Sequence, residues 1–348
     1  MLEDIEMKIA DTEPKITNGH LKENNTLMLI EKYRPKSLNE MVSHEEIIKT
    51  INRFIEKKSI PHFLFHGPPG TGKTSCIIAI ARKLYGENMK KMVLELNASD
   101  DRGINVVRDR IKEFCNTQMI HIKGIKLVVL DEADAMTASA QFALRRVIEK
   151  YTKNARFCLI CNQVSKIIPA IQSRCMRFRF NPLKPEQCNS RIKEICELEN
   201  IRIDNLTVNE IIKIGKGDMR KILNILESTN NSFNKVDHKT VYMCTGLPSF
   251  EDIKKIVNVL MTSDFEKAYN FLNELKIQKG FSVNDLVLEL VRFVRMYFKK
   301  NITLKIKILK WFAEMDYLAC IGGNEKILIS NLVGIFSELR NDNWKFDF

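Results

Sequence analysis

The octapeptide Gly67-Pro68-Pro69-Gly70-Thr71-Gly72-Lys73-Thr74 constrains the fold more than any other part of the chain. A short apolar run, Phe63–His66, leads into it. Residues 75–85 follow with helical composition, offering Ile77, Ile78, Ile80, Ala81 and Leu84 for packing. Strand, glycine-rich loop, helix is the context in which a backbone wraps phosphate. Glycines admit the turns that aim consecutive N–H groups at one point, and the helix N-terminus adds its partial positive charge. The pattern assigns Gly67, Pro68, Pro69, Gly70, Thr71, Gly72 and Ser75 to a phosphate cradle. Lys73 would reach the β- and γ-phosphates of a nucleotide, and Thr74 would ligate magnesium.

Such a loop needs a buried strand ending in acids. Lys126-Leu127-Val128-Val129-Leu130 is a continuous apolar run, as expected for a parallel strand covered on both faces. It ends at Asp131-Glu132-Ala133-Asp134, which places Asp131 to hold magnesium and Glu132 to orient or deprotonate an attacking water. Residues 91–97, 156–162 and 176–180 also read as strands, which makes a five-stranded, mostly parallel sheet. Asn162 ends its strand beside the expected metal site, where a polar side chain can sense a γ-phosphate.

At 348 residues, two or three domains are expected. Residues 182–246 read as a compact helical lid. Beyond Pro248 the pattern is all-helical, as in Leu286, Leu290, Val291 and Val294. Asp218 reads as an N-cap before the stripe Met219, Ile222, Leu223 and Leu226, which leaves Arg220 off the stripe in the first turn. The formal charge of +12 favours polyanion partners. Residues 1–26 are polar and read as a disordered tail; Glu3, Asp4, Glu6, Asp11 and Glu13 do not suit a secretory signal. No apolar run reaches the roughly 18 residues of a membrane span. The nine scattered cysteines fit a reducing compartment. The close pair Cys158 and Cys161 lies inside a strand pattern and reads as ordinary buried cysteine.

Several motifs occur in one order: Glu31-Lys32-Tyr33-Arg34-Pro35, the GPPGTGKT loop, LELNASDDRG at 94–103, DEAD at 131–134, ALRRVIE at 143–149, Ser173-Arg174-Cys175 and Gly217-Asp218-Met219-Arg220. Together they resemble the small subunits of replication factor C, the eukaryotic sliding-clamp loader, from about Ile30 to near the C-terminus. The segments 151–161 (YTKNARFCLIC), 166–175 (KIIPAIQSRC), 241–246 (VYMCTG) and 323–327 (GNEKI) are most similar to one small-subunit type. Relatives commonly carry Pro-Trp-Val before Glu-Lys-Tyr-Arg-Pro, where this chain has Leu27-Met28-Leu29-Ile30. A DEAD-box helicase is excluded, because it needs two tandem RecA-like domains and no second glycine-rich core follows Phe180.

The resemblance implies an AAA+ (P-loop NTPase) α/β core over 27–181 with a five-stranded parallel sheet, a helical lid over 182–246 and an all-α collar over 247–348. It implies ATP and Mg2+ as ligands, and an open ring of five subunits with ATP sites between neighbours. Ile30, Glu31, Lys32 and Tyr33 would contact the adenine side, with Val42 a further wall, and Arg220 would act as a lid sensor of bound nucleotide. Arg174 would reach a neighbour's ATP in trans. Arg102 and Arg108, flanking the start of a helix, are candidate DNA-phosphate contacts. Phe142, off the packed stripe of Ala140, Ala143, Leu144, Val147 and Ile148, is a candidate contact with the clamp, proliferating cell nuclear antigen. The expected partners are the other replication factor C subunits, the clamp and primer–template DNA, with no membrane, and the expected location is the nucleus. A ring-shaped branch-migration motor and a nucleotide-holding scaffold are the rival readings.

Overall fold

Three apolar runs form the middle of the sheet because each is covered on both faces. The computed structural model describes residues 27–57, 59–98, 104–117, 124–233, 235–297 and 302–341. In chain order the elements are α1 (Leu29–Lys32), α2 (Glu45–Glu56), β1 (Phe63–His66), α3 (Lys73–Tyr85), α4 (Met89–Met92), β2 (Val93–Asn97), α5 (Ile104–Asn116) and β3 (Lys126–Asp131). There follow α6 (Ala138–Tyr151), β4 (Ala155–Cys161), α7 (Pro169–Gln172), β5 (Met176–Arg179), α8 (Pro185–Leu198), α9 (Asn205–Gly215) and α10 (Met219–Ser232). The remainder is helical: α11 (His238–Thr245), α12 (Phe250–Thr262), α13 (Phe265–Lys279), α14 (Val283–Tyr297), α15 (Ile302–Cys320) and α16 (Glu325–Asn341).

The chain forms two compact units, one running to Arg191 and including Lys216–Glu227, the other made of Ile192–Gly215 and the chain from Ser228. The first holds a five-stranded sheet in the order β2-β3-β4-β1-β5, with every pairing parallel. Phe63, Leu64 and Phe65 of β1, residues 127–130 of β3 and residues 157–161 of β4 are buried. One face of the sheet packs Phe63, Phe65, Phe178 and Phe180 with Ile77 and Ile80 of α3; the other packs Leu64, Val128 and Leu159 with Leu144 and Ile148 of α6. The parallel order carries the carboxyl ends of β1, β3 and β4 to one edge, the place where open α/β sheets bind ligands.

Strand boundaries differ from the sequence reading: β4 begins at Ala155 and β5 ends at Arg179, and two other shifts bear on the site. Lys91 and Met92 belong to α4, because the chain makes a last helical turn that buries Met92 before β2 begins. Asn162 lies just past β4, in a turn capped by Asp134, whose Oδ2 accepts the N–H groups of Asn162 and Gln163. Residues 1–26 and Arg102 lie outside the described residues; Arg108 falls within α5 but its side chain lies outside them.

In the second unit, α12–α16 enclose an apolar core that includes Ile256, Leu272, Leu290, Phe312, Leu332 and Phe336. A capping box starts α12: Ser249 and Asp252 exchange hydrogen bonds, and Lys279 Nζ reaches both Asp252 carboxylate oxygens at 2.7 Å. Among the described residues, no helix is long and apolar enough to cross a membrane.

Candidate nucleotide site

The loop between β1 and α3 can exist only with glycine at two of its positions. Gly67 has φ +145°, and a Cβ there would fall 2.0 Å from the Phe180 carbonyl oxygen. Gly70 has φ +66°, and a Cβ there would strike Asp218. The close approach at Gly70 joins the loop to the start of α10, where Met219 N–H donates to the Gly70 carbonyl. Asp218 caps that helix, accepting from Lys221 N–H at 3.1 Å.

Lys73 opens α3 and is 7% exposed. Its Nζ donates to the carbonyls of Gly67 and Pro68 at 2.8 Å each and to Asn162 Oδ1 at 3.0 Å. All three donors of the ammonium thus have acceptors. Burial lowers the Lys73 pKa, and the negative charge of Asp131 opposes that shift. Thr74 Oγ1 donates to Asp131 Oδ2 at 2.7 Å, which ties the loop helix to the end of β3. Glu132 follows in the left-handed region at φ +52°, its N–H on Asp131 Oδ1 at 2.8 Å. A non-glycine residue held there is a local strain that the surrounding structure must sustain. It leaves the Glu132 side chain exposed.

These groups line one open cleft of about 1200 Å³, solvent-filled mouth included. Residues 69–75, Asp131, Glu132 and Asn162 form its phosphate side; Ile30, Glu31, Tyr33 and Val42 form another wall; Arg220 enters from α10. Of the residues named from sequence, Gly67 and Pro68 stand behind the lining, where their carbonyls accept from Lys73 Nζ, and Lys32 lies off the cleft with its ammonium over the Tyr33 ring. Arg174 and Phe142 are also outside the lining. Arg174 follows α7, with Nη1 on the Ala170 carbonyl at 2.7 Å and Nη2 on Glu149 Oε1 at 2.6 Å. Phe142 is exposed on α6, while Ala140, Leu144, Val147 and Ile148 are buried.

The donor set suits a hard cation held jointly with phosphate. Thr74 and Asp131 present one hydroxyl and one carboxylate in contact, and magnesium is commonly held by one or two carboxylates plus substrate oxygens and water. Among the described residues no cluster of three or more His, Cys, Asp or Glu offers an all-protein cage. Cys158 and Cys161 are buried in β4, and burial raises both thiol pKa values, that of Cys161 to about 12.

Some contributors carried no sequence signal. Arg191 on α8 lines the cleft and donates to the Tyr33 carbonyl at 3.2 Å. Glu227 on α10 accepts the Leu29 N–H at 3.0 Å, holding the first turn of α1. Gln141, 2% exposed, donates to the carbonyls of Met136 and Lys166 and accepts from Ile168 N–H. It reads from sequence as one more polar residue in a helix, and only its burial reveals the tie between the DEAD turn and the segment leading to α7.

Residues 63–183 match the ATPase family associated with various cellular activities (AAA), residues 185–241 the RFC1-like AAA+ ATPase lid domain, and residues 248–334 the replication factor C C-terminal domain. The chain is 48% identical to probable replication factor C subunit 5 of Dictyostelium discoideum, over 97% of this chain and 99% of that one. It is 49% identical to human replication factor C subunit 5, over 90% and 92%. It is 43% identical to subunit 3 of Saccharomyces cerevisiae, over 91% and 94%. A RuvB structure from Thermotoga maritima superposes with a TM-score of 0.51 at 15% identity, over 69% of this chain and 85% of that one, a likeness of fold alone. The relatives' numbering, five in animals and three in yeast, is the type that the segments 151–161 and 166–175 resemble. With an AAA domain, a lid and a replication factor C C-terminal domain in one chain and relatives of this identity along nearly its whole length, the chain belongs to the replication factor C family: it is an ATPase subunit of the heteropentameric clamp loader of DNA replication.

Proposed function

We propose that this chain holds ATP in the cleft between its sheet and α10 and uses hydrolysis as a timed switch in loading the sliding clamp onto primer–template DNA. The observation that carries the reading is that adjacent Lys73 and Thr74, at the start of α3, are hydrogen-bonded to Asn162 beyond β4 and to Asp131 at the end of β3 respectively. Lys73 exchanges its carbonyl partners for β- and γ-phosphate oxygens. The loop N–H groups and the start of α3 neutralise phosphate charge. Thr74 and Asp131 would hold Mg2+, which when bound would supply charge neutralisation at the phosphates. Glu132 takes the proton of a water whose oxygen attacks the γ-phosphorus, while the bond to the β-phosphate oxygen breaks and ADP leaves. Asn162 reads the γ-phosphate, Arg220 senses nucleotide from the lid, and the wall of Ile30, Glu31, Tyr33 and Val42 receives the base.

Arg174 serves the ATP of a neighbouring subunit. Its absence from the lining of its own cleft supports a role in trans. ATP binding orders the ring to open and hold the clamp, proliferating cell nuclear antigen. Primed DNA triggers hydrolysis, and the clamp closes as the loader lets go. Exposed Phe142 on α6 is the proposed clamp contact, and Arg102 and Arg108 are the proposed phosphate contacts to DNA, made by shape and charge rather than base sequence. The working domains are a core over 27–181, a lid over 182–246 and a collar over 247–348 that joins the five subunits, with action in the nucleus.

The test is the steady-state ATPase of the chain, alone and reconstituted with its four partners, with clamp and primed DNA each omitted in turn. Low activity alone and strong stimulation by the full set is the expected result. Vigorous turnover by the isolated chain, indifferent to clamp and primer, overturns the shared-site switch.

A further inference from the structure

The ALRRVIE segment within α6 lies outside the cleft, yet its last residue touches the arginine that follows α7. Glu149 Oε1 accepts from Arg174 Nη2 at 2.6 Å and from Arg145 Nε, one helical turn earlier, at 3.0 Å. The Ala170 carbonyl takes Arg174 Nη1 at 2.7 Å. The backbone beneath is fixed as well: Arg174 N–H donates to the Ile171 carbonyl, Cys175 is buried, and Met176 N–H donates to the His62 carbonyl at 2.7 Å. The guanidinium is therefore held at both terminal nitrogens while its side chain stays 34% exposed. An arginine has five N–H donors, so this clamp leaves up to three for an acceptor from outside the chain.

The energetics decide what such a contact is for. An ion pair between two partly exposed side chains contributes little stability. Orientation is another matter, since a misplacement of about 1 Å at a reacting group can cost about 100-fold in rate. Hydrogen bonding from Arg145, with the charge of Arg174 beside it, lowers the Glu149 pKa and keeps the acceptor charged. We infer that Glu149 is a positioning residue of the clamp loader: it fixes Arg174 in a set orientation, so that the arginine meets the neighbouring subunit's nucleotide already aligned. The inference rests on Arg174 acting in trans.

The experiment uses the reconstituted pentamer with clamp and primed DNA, in which the site completed by Arg174 is the only hydrolysis-competent one. E149A is expected to lower kcat about tenfold with KM for ATP unchanged. E149Q, which keeps an acceptor oxygen, is expected to recover part of that loss. In an R174A background, E149A is expected to cost nothing further, because the two residues act as one unit. A further tenfold loss in that background would mean that Glu149 supports the fold rather than the arginine, and would overturn the inference. Wild-type or faster turnover by E149A, with R174A impaired, also overturns it while leaving the trans role standing. A silent R174A removes the trans role and this inference together.

Discussion

Lys73 is 7% exposed and gives its three N–H groups to acceptors of its own chain, whereas Arg174 stands 34% exposed, its two contacts made away from the cleft. Both cations flank one sheet: Lys73 opens α3 after β1, and Arg174 follows α7 just before β5. The lysine sits where three parallel strands end, so its position is over-determined by the fold. The arginine precedes β5, an edge strand, and its side chain is partly exposed there. A cation satisfied at home has to be recruited by phosphate from existing partners; one held by a carboxylate and a carbonyl, with N–H groups to spare, can be presented outward. Under the proposed function, this contrast divides the chain into a binding site of its own and one side chain offered to a neighbour's site.

The largest expected effect breaks or confirms that division. Arg174→Ala is expected to lower turnover at the neighbour's site by about 10³–10⁵-fold, the range for an arginine finger in phosphoryl transfer. ATP binding to this chain's own cleft should be unchanged by fluorescent-nucleotide titration. A loss of binding here would mean that Arg174 acts in cis, and the comparison would collapse. Lys73→Ala is the mirror experiment, expected to cost about 10²–10³-fold in turnover at this chain's own site, as for removal of one preorganised electrostatic donor. The neighbour's site, finished by an intact Arg174, should keep its rate in a pentamer where it alone is competent. Equal damage at both sites would show that they are not separable.

The same contrast explains what sequence could reveal. Residues 67–74 and 131–134 were legible because phosphate and metal chemistry needs fixed residue types at short spacing, and the apolar runs beside them announced buried strands. Strand ends were less so: the strand read from Lys91 begins only at Val93, and buried Met92 is the last residue of α4. Arg191, Glu227 and Gln141 were missed because each has a partner far along the chain, 158, 198 and 25 to 27 residues away, and they fall in no short motif. The lid and collar helices were legible as amphipathic periods. The role of Arg174 came from family resemblance, since spacing alone fits a surface arginine equally well.

The opposite end of the sheet offers a control that should touch neither cation. His62, just before β1, is buried and accepts the Phe157 N–H through Nδ1 at 3.1 Å. Burial, with the charge of Arg156, lowers its pKa to about 4. The folded protein thus refuses a proton that the unfolded chain accepts below about pH 6.5. Stability is fully kept above that value and falls as pH drops through the window from about 6.5 to 4, by about 2 kcal/mol at pH 5. In urea melts between pH 7.5 and 5, His62→Gln should lose less stability than wild type. Parallel pH slopes would remove His62 as the cause. Nucleotide affinity at pH 7.5 should match wild type if the carboxyl edge of the sheet is independent of this buttress.

The smallest effect tests how finely the home site is built. Glu227 Oε2 accepts the Leu29 N–H at the start of α1, the short helix that carries Ile30 and Glu31 to the cleft wall. The same α10 brings Arg220, so one helix sets both the base-side wall and the lid arginine. A carboxylate is also favoured at a helix N-terminus by the backbone dipoles. Removing one such charge-assisted bond costs about 1 kcal/mol when water can replace it, equivalent to about fivefold in affinity. Glu227→Ala should therefore weaken ATP binding about fivefold, and Glu227→Gln, which keeps an acceptor, should weaken it less. Turnover at the site served by Arg174 should not change, because Glu227 orders the wall of this chain's cleft and makes no contact with the arginine or with Glu149. If Glu227→Ala slowed that neighbouring site as much as its own, the cleft and the rim would be coupled through α10, and the two halves would have to be treated as one device.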